Sequence, residues 1–313
     1  MRLCLVTGGA GFIGSHIVDA LVNRGDRVRV LDNLSTGKTA NLAGVRDRIE
    51  LIEGDLCDPA SVTKSVQGVD TIFHEAALAS VQRSVEKPLD THAACVTGTL
   101  LLIDAARKAS VRRIVYAASS SAYGNQPASS KRETDLPLPI SPYGTAKLAA
   151  EYYLSAFAAM GEIETVALRY FNVFGPRQDP QGEYSAVIPR FITAMLAGQQ
   201  PTVYGDGGQS RDFTFIANVV NGNLLAADAP DASGRVINLA AGHKVSLLEL
   251  IAELNELLGL KIVPRHEPPR VGDVRESMAD ITLARQILGY APEIDFTTGL
   301  KRSIDYYVGL IKK

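Results

Sequence analysis

The sequence predicts an α/β protein in which a doubly wound parallel sheet carries a smaller mixed α/β lobe. Short runs rich in Val, Ile and Leu recur through the first half, and a segment with apolar residues at helical spacing follows each one. A glycine-rich turn, G-G-A-G-F-I-G, joins the first run to the first helical segment. The alternation stops after V-A-L-R-Y-F-N-V-F-G, 166–175, where loops rich in Gly, Pro, Gln and Asp take over.

In chain order, the expected strands are L-C-L-V-T at 3–7, V-R-V-L-D at 28–32, I-E-L-I-E at 49–53, D-T-I-F-H at 70–74 and R-I-V-Y-A-A at 113–118. Helices are expected at 12–24, 88–109 and 142–160. The last opens with Ser141 as N-cap and Pro142 at the first helical position, where a missing N–H costs nothing. Beyond 175, a helix at 187–197, a strand at 236–240 and helices at 246–258 and 297–311 suggest the smaller lobe. The division is therefore 1–172 for the first lobe, with a return near 211–240 through the extended R-D-F-T-F-I, and 173–313 for the second.

The chain has 313 residues, 46% of them hydrophobic, enough for a large core and a second lobe. Lys+Arg of 32 against Asp+Glu of 34 leaves a formal charge of -2, which provides no field to draw nucleic acid or an anionic membrane. A small-molecule partner is expected instead. Cys4, Cys57 and Cys95 are odd in number and far apart, arguing against a disulfide framework, and the histidines at 16, 74, 92, 243 and 266 show no metal-ligand spacing. No metal is expected. The first apolar run is too short for a signal peptide, and no run approaches the ~18 apolar residues of a spanning helix. A soluble, cytoplasmic protein follows from that reading.

Gly8, Gly11 and Gly14 lie between the first strand and the first helix. Glycines there permit a tight turn and close approach of backbone to a pyrophosphate, while the helix N-terminus offers unpaired N–H groups to the anion. A glycine turn alone is weak evidence. Here Asp32 closes the next strand, where a carboxylate accepts hydrogen bonds from a ribose 2′-hydroxyl, so the first lobe reads as a Rossmann-type dinucleotide domain. That carboxylate would repel the extra phosphate of NADP, and no arginine follows it, so NAD is the expected cofactor. Asp55 and Leu56 after the third strand, and Ala76, Ala77 and Ala79 after the fourth, fall at the carboxyl edge where a dinucleotide binds. Asp55 has an alternative reading as the cap of a helix beginning near Pro59.

S-P-Y-G-T-A-K places Tyr143 and Lys147 four residues apart on one helix face. A free phenol has a pKa of about 10, and both a lysine charge and a nicotinamide cation would draw it toward the working pH, making a general base. Y-x-x-x-K alone is common on helix surfaces. Upstream, S-S-S-A-Y-G at 119–124 sets three hydroxyls, and no acid, at a strand end. Serines there often just satisfy turn backbone, a role more readily given to Ser120 than to Ser119.

Together, G-G-A-G-F-I-G, S-S-S-A-Y-G and Y-G-T-A-K resemble the extended short-chain dehydrogenase/reductases, and specifically the nucleotide-sugar 4-epimerases, along essentially the whole chain. The resemblance implies Ser119 as catalytic serine, Ser120 and Ser121 beside the sugar, Tyr143 as base and Lys147 as its partner on the nicotinamide ribose. The expected cofactor set is completed by Phe12, Ile13, Asn33 and Tyr170. Relatives that dehydrate or decarboxylate their sugar carry Glu, or Asp-Glu, just before the Y-G of the serine motif; here Ser121 and Ala122 stand there. Without that acid the site can oxidise a hydroxyl and reduce it again, which on a sugar that turns in between is epimerisation.

The same resemblance puts Asn172, Arg211 and Arg270 on the diphosphate of a UDP-sugar and Val203, Tyr204 and Asp273 on its uridine, with Val187 and Phe191 lining the nucleotide pocket. Ser277 occupies a position that resembles a bulky tyrosine gate in strictly non-acetylated epimerases, so room for a 2-acetamido group is expected. Arg83, in S-V-Q-R-S-V-E, looks like the acetamido-tolerant subgroup, or would receive the carboxylate of UDP-glucuronate. Three readings stay open: the epimerase, a C6 decarboxylase or 4,6-dehydratase that the missing Glu disfavours, and a silent NAD-binding scaffold. The scaffold would be expected to have lost Ser119, Tyr143 or Lys147. A homodimer through the helices near 90–109 and 143–160 is also implied by the resemblance.

Overall fold

The computed structural model describes residues 1–126, 130–180, 186–269 and 275–311. Its centre is a seven-stranded parallel sheet. The first six strands in the chain are β1 (Leu3–Thr7), β2 (Arg27–Asp32), β3 (Ile49–Glu53), β4 (Thr71–His74), β5 (Arg113–Ser119) and β6 (Glu164–Tyr170). Across the sheet the order is Arg235–Leu239, β6, β5, β4, β1, β2, β3. β1 therefore lies between β2 and β4, and the chain reverses direction of travel there, opening a crevice at the carboxyl ends.

Both faces of the sheet are covered, which is why its strands read as continuous apolar runs. On β1, Cys4 and Val6 face one core with Ile17, Val18 and Leu21, while Leu5 faces the other with Leu102 and Ile103. β5 alternates likewise, Val115 and Ala117 on the first side, Ile114, Tyr116 and Ala118 on the second. The first core is walled by α1 (Phe12–Arg24), which ends at Gly25 in the left-handed conformation. The second is walled by α2 (Pro59–Ser65) and, further along, by the helices that follow β4 and β5.

The single helix expected over 88–109 is broken. After α3 (Val81–Glu86), α4 (Pro88–His92) runs into a wide π turn over Ala93–Thr97 before α5 (Gly98–Lys108). A Cβ at Gly98 would come within 2.9 Å of Leu56 Cβ, so the helix is seated hard against the loop after β3 where its pitch changes. α6 (Pro142–Ala159) starts as expected: Ser141 Oγ accepts the Gly144 N–H at 3.1 Å, with Pro142 at the first helical position.

Small strand pairs and helices α7 (Val187–Leu196), α9 (Leu247–Leu258), α10 (Thr282–Leu288) and α11 (Phe296–Ile311) make up most of the second half. Val173–Phe174 pairs with Thr214–Phe215, Thr202–Tyr204 with Arg265–Glu267, and Ser210–Arg211 with both Val245–Ser246 and Glu276–Ser277. Between them, α8 (Ile216–Asp228) packs on α1, β5 and β6, and Arg235–Leu239 adds the last strand of the large sheet beside β6. Among the described residues no helix is long and apolar enough to cross a membrane.

Candidate active site

A cavity of about 740 Å³ occupies the crevice at the carboxyl ends of the strands. Its dinucleotide side begins at the β1–α1 turn. Gly8 has φ +65°, and a Cβ there would lie 2.7 Å from the Ala76 backbone; a Cβ at Gly14 would lie 2.2 Å from the Gly8 carbonyl oxygen. Only glycine lets the turn, the helix and the loop after β4 meet so closely. Phe12 and Ile13 open α1 beside it, and both line the cavity.

Asp32, at the end of β2, is buried and accepts the Ala10 N–H at 2.9 Å and the Leu34 N–H at 2.8 Å. Its carboxylate thus ties the glycine turn to the β2 loop while still edging the cavity. Asn33 Nδ2 donates to Asp55 Oδ2 at 2.7 Å, and the Cys57 N–H and Asn33 hold the Asp55 carboxyl below its usual range. The capping alternative for Asp55 falls to Asp58, which accepts the N–H groups of Ala60 and Ser61 at the start of α2. Asp55 remains with Leu56, Ala76, Ala77 and Ala79 around the cavity.

At the other end the cavity is lined by Ser119, Ser120, Ser121, Tyr143, Lys147, Tyr170, Asn172 and Arg83. Ser119 Oγ accepts the Ser121 N–H at 3.1 Å, so the turn-capping role expected of Ser120 belongs to Ser119. That bond occupies a lone pair and leaves the Ser119 proton to donate elsewhere. Ser119 lies close enough to the Tyr143 phenol to favour its ionised form. Asn172 sits at φ +24°, an uncommon backbone conformation at the cavity wall.

The electrostatics differ from the expectation that Lys147 would make Tyr143 acidic. Burial pushes the Tyr143 phenol well above its ordinary value, and the nearby Ser119 hydroxyl only partly opposes this. Burial also lowers the Lys147 ammonium, which stands 4.4 Å from the centre of the Tyr116 ring. The side chains alone therefore hold the phenol protonated; a further positive charge is needed to make it a base.

Several residues expected at a nucleotide pocket lie off this cavity. Val203 is fully buried and Phe191 nearly so, both packed in the large core, so their side chains support the fold there. Val187, Tyr204, Arg211 and Ser277 are also outside the cavity lining; Arg211 and Ser277 are paired on adjacent short strands. Arg270 and Asp273 lie outside the described residues. Glu75, a carboxyl on the cavity wall one residue past β4, was not expected there, nor were Gln178 and Asp90, which also line the cavity. Glu75 interrupts an apolar strand end just before A-A-L-A, the one sequence signal that could have exposed it.

Residues 4–240 match the model of the NAD dependent epimerase/dehydratase family. The chain belongs to that family. Among its relatives, a UDP-glucose 4-epimerase of Mycolicibacterium smegmatis is 38% identical, covering 97% of each chain. Among solved structures of this epimerase/dehydratase fold, the UDP-N-acetylglucosamine 4-epimerase of Methanobrevibacter ruminantium in complex with UDP-N-acetylmuramic acid is similar at 38% identity, TM-score 0.94, covering 99% of each chain. The UDP-glucose 4-epimerase of Thermotoga maritima with UDP-glucose is similar at 37% identity, TM-score 0.94, again over 99% of each chain. The glycine turn, Asp32 and the open crevice fit the dinucleotide after which the family is named.

Proposed function

We propose that this protein is a NAD-dependent UDP-sugar 4-epimerase, acting on UDP-GlcNAc/UDP-GalNAc, on UDP-Glc/UDP-Gal, or on both pairs. The observation that carries the reading is the company of Tyr143: Ser119, Ser120 and Ser121 line the same cavity, and Ser121 and Ala122 stand where a dehydrating or decarboxylating site needs its acid. Of the carboxyls that line the cavity, Glu75 is bonded to Tyr170 rather than to the serine turn, and Asp32 and Asp55 are engaged on the dinucleotide side.

Gly8, Gly11, Gly14, Asp32, Asp55, Tyr143 and Lys147 would hold the NAD. Bound there, it would supply the hydride acceptor and donor for the sugar's C4. The chain's own part is proton handling and orientation. Tyr143 takes the proton of the 4-hydroxyl and gives it back after the 4-keto sugar has turned about its diphosphate, so the net reaction is isomerisation. Ser119, its lone pair engaged by the Ser121 N–H, donates to the oxygen as it becomes a carbonyl. Lys147, buried one turn farther along α6, would place a positive charge on the helix face that carries the phenol.

Arg83 on the cavity wall supports a second reading, 4-epimerisation of UDP-glucuronate, because a guanidinium pairs well with a sugar carboxylate. Similarity to relatives acting on UDP-glucose and UDP-N-acetylglucosamine favours the neutral sugars. The proposal includes a cytoplasmic homodimer, in line with free Cys4, Cys57 and Cys95 and with apolar side chains left exposed on α4 and α6. Incubation with UDP-Glc, UDP-GlcNAc and UDP-GlcA in turn, followed by proton NMR, tests the assignment. Equal-mass C4 isomers are expected from at least one neutral sugar; loss of CO2 or water would overturn it.

A further inference from the structure

Glu75 has no part in the proton handling just described, yet it lines the same cavity as Tyr143 and Lys147. It follows β4, and its N–H donates to the Thr7 carbonyl at 3.2 Å, so its backbone is fixed to β1 across the sheet. Its Oε1 accepts the Tyr170 hydroxyl at 2.9 Å. Tyr170 in turn accepts from Asn223 Nδ2 at 2.7 Å, and the same amide nitrogen donates to the Val219 carbonyl at 2.8 Å. The carboxyl is thus the end of a hydrogen-bond chain built from β6 and the interior of α8, with Asn223 wholly buried. One end of the chain is packed in the core and the other opens on the cavity.

Placing a carboxyl here opposes stability. Burial raises it to about 7, while the Tyr170 hydrogen bond and the Lys147 charge pull the other way. A side chain kept at such a cost, beside the groups that do the chemistry, points to a role in that chemistry. Lys147 and Tyr143 both feel its charge: Glu75 favours the ammonium and opposes the phenolate. Oxidised nicotinamide carries a positive charge that the reduced form lacks, so it would draw a carboxyl in the same cavity toward its ionised form and be favoured by it in return.

Resting on the NAD-dependent reading above, we propose that Glu75 is a positioning residue that supplies the counter-charge of the site. Held in place through Tyr170 and Asn223, it makes the cavity favour oxidised over reduced nicotinamide. That preference would bias the bound cofactor toward the oxidised state from which each turnover starts.

The test needs no sugar, so it is independent of which reaction the enzyme catalyses. The NAD-loaded protein and its Glu75→Gln variant are titrated with a reductant, and the reduced-to-oxidised ratio of bound nicotinamide is read from its near-ultraviolet absorbance at fixed potential. Glutamine retains an oxygen to accept from Tyr170, so shape and anchoring persist while the charge is lost. The ratio is expected to rise roughly three- to tenfold in Glu75→Gln, with Glu75→Asp, which keeps the charge, closer to wild type. If a variant sheds its cofactor, the ratio of NADH to NAD affinity measured by calorimetry reports the same quantity. An unchanged ratio in Glu75→Gln, or an equal change in Glu75→Asp, would overturn the proposal. Failure of the epimerase assay with this shift intact would overturn only the choice of reaction.

Discussion

Tyr143 and Lys147 show how far single residues could be read from sequence. Their four-residue spacing on α6 and their nearness to the Ser119 turn were legible, because helix periodicity and strand order fix both. Which force dominates the phenol was not legible, because desolvation depends on everything packed around it. Burial pushes Tyr143 up and lowers Lys147, so without cofactor the phenol keeps its proton at neutral pH. A raised phenol loses its proton only above its ordinary range, and an added positive charge must move that transition down in pH. The phenolate absorbance of Tyr143, isolated by subtracting Tyr143→Phe, is expected to appear at least about one pH unit lower in NAD-loaded than in cofactor-free protein. Coincident titrations would mean the cofactor does not activate this phenol. Glu75 went unread for the same physical reason: nothing in its neighbours along the chain shows that Tyr170, 95 positions away, reaches it.

Among the elements, those carrying a strong local signal fall where the sequence put them. α1, α6 and α7 begin and end within a residue or so of expectation, because Gly25, Ser141 and Pro142 punctuate the chain with backbone chemistry that has few alternatives. The π turn at Ala93–Thr97 did not announce itself: it adjoins the close approach of Gly98 to Leu56, a tertiary contact that no residue of the turn signals. Segments joined only by tertiary hydrogen bonds were equally silent. Asp212 is the clearest case: fully buried, it accepts the N–H groups of Ala241, Gly242 and Ala279 at 2.9, 3.0 and 3.2 Å. One carboxylate thereby clamps the Ser210–Arg211 strand to the loop after the last sheet strand and to the segment leading into α10. In Asp212→Asn one acceptor becomes a donor facing an N–H, so at least one buried bond is lost and a repulsion gained. A loss of roughly 2–3 kcal/mol is expected from urea unfolding; a midpoint within error of wild type would show that the clamp contributes nothing.

At the scale of the whole molecule, the exposed apolar surface bears on assembly. Leu89 on α4 is 82% exposed, and Tyr152 and Tyr153 on α6 are 56% and 42% exposed. α4 packs directly on α6, so the helices that carry these side chains are neighbours in one region of the molecule. A two-fold axis through that region would set the same helices of two copies against each other, burying each patch with its own counterpart in a four-helix arrangement. Such an interface would also bear on catalysis, because α6 carries Tyr143 and Lys147 near its start and Tyr152 and Tyr153 farther along. A charge placed in the middle of a self-complementary contact meets its own copy across the axis, so repulsion and desolvation act together. Wild type is therefore expected to have twice the chain mass by light scattering, and Leu89→Asp combined with Tyr152→Glu to have the mass of one chain. Both changes are on exposed positions, so the variant should keep the wild-type circular dichroism spectrum while the mass halves. A variant that remains at twice the chain mass would place the contact on another face.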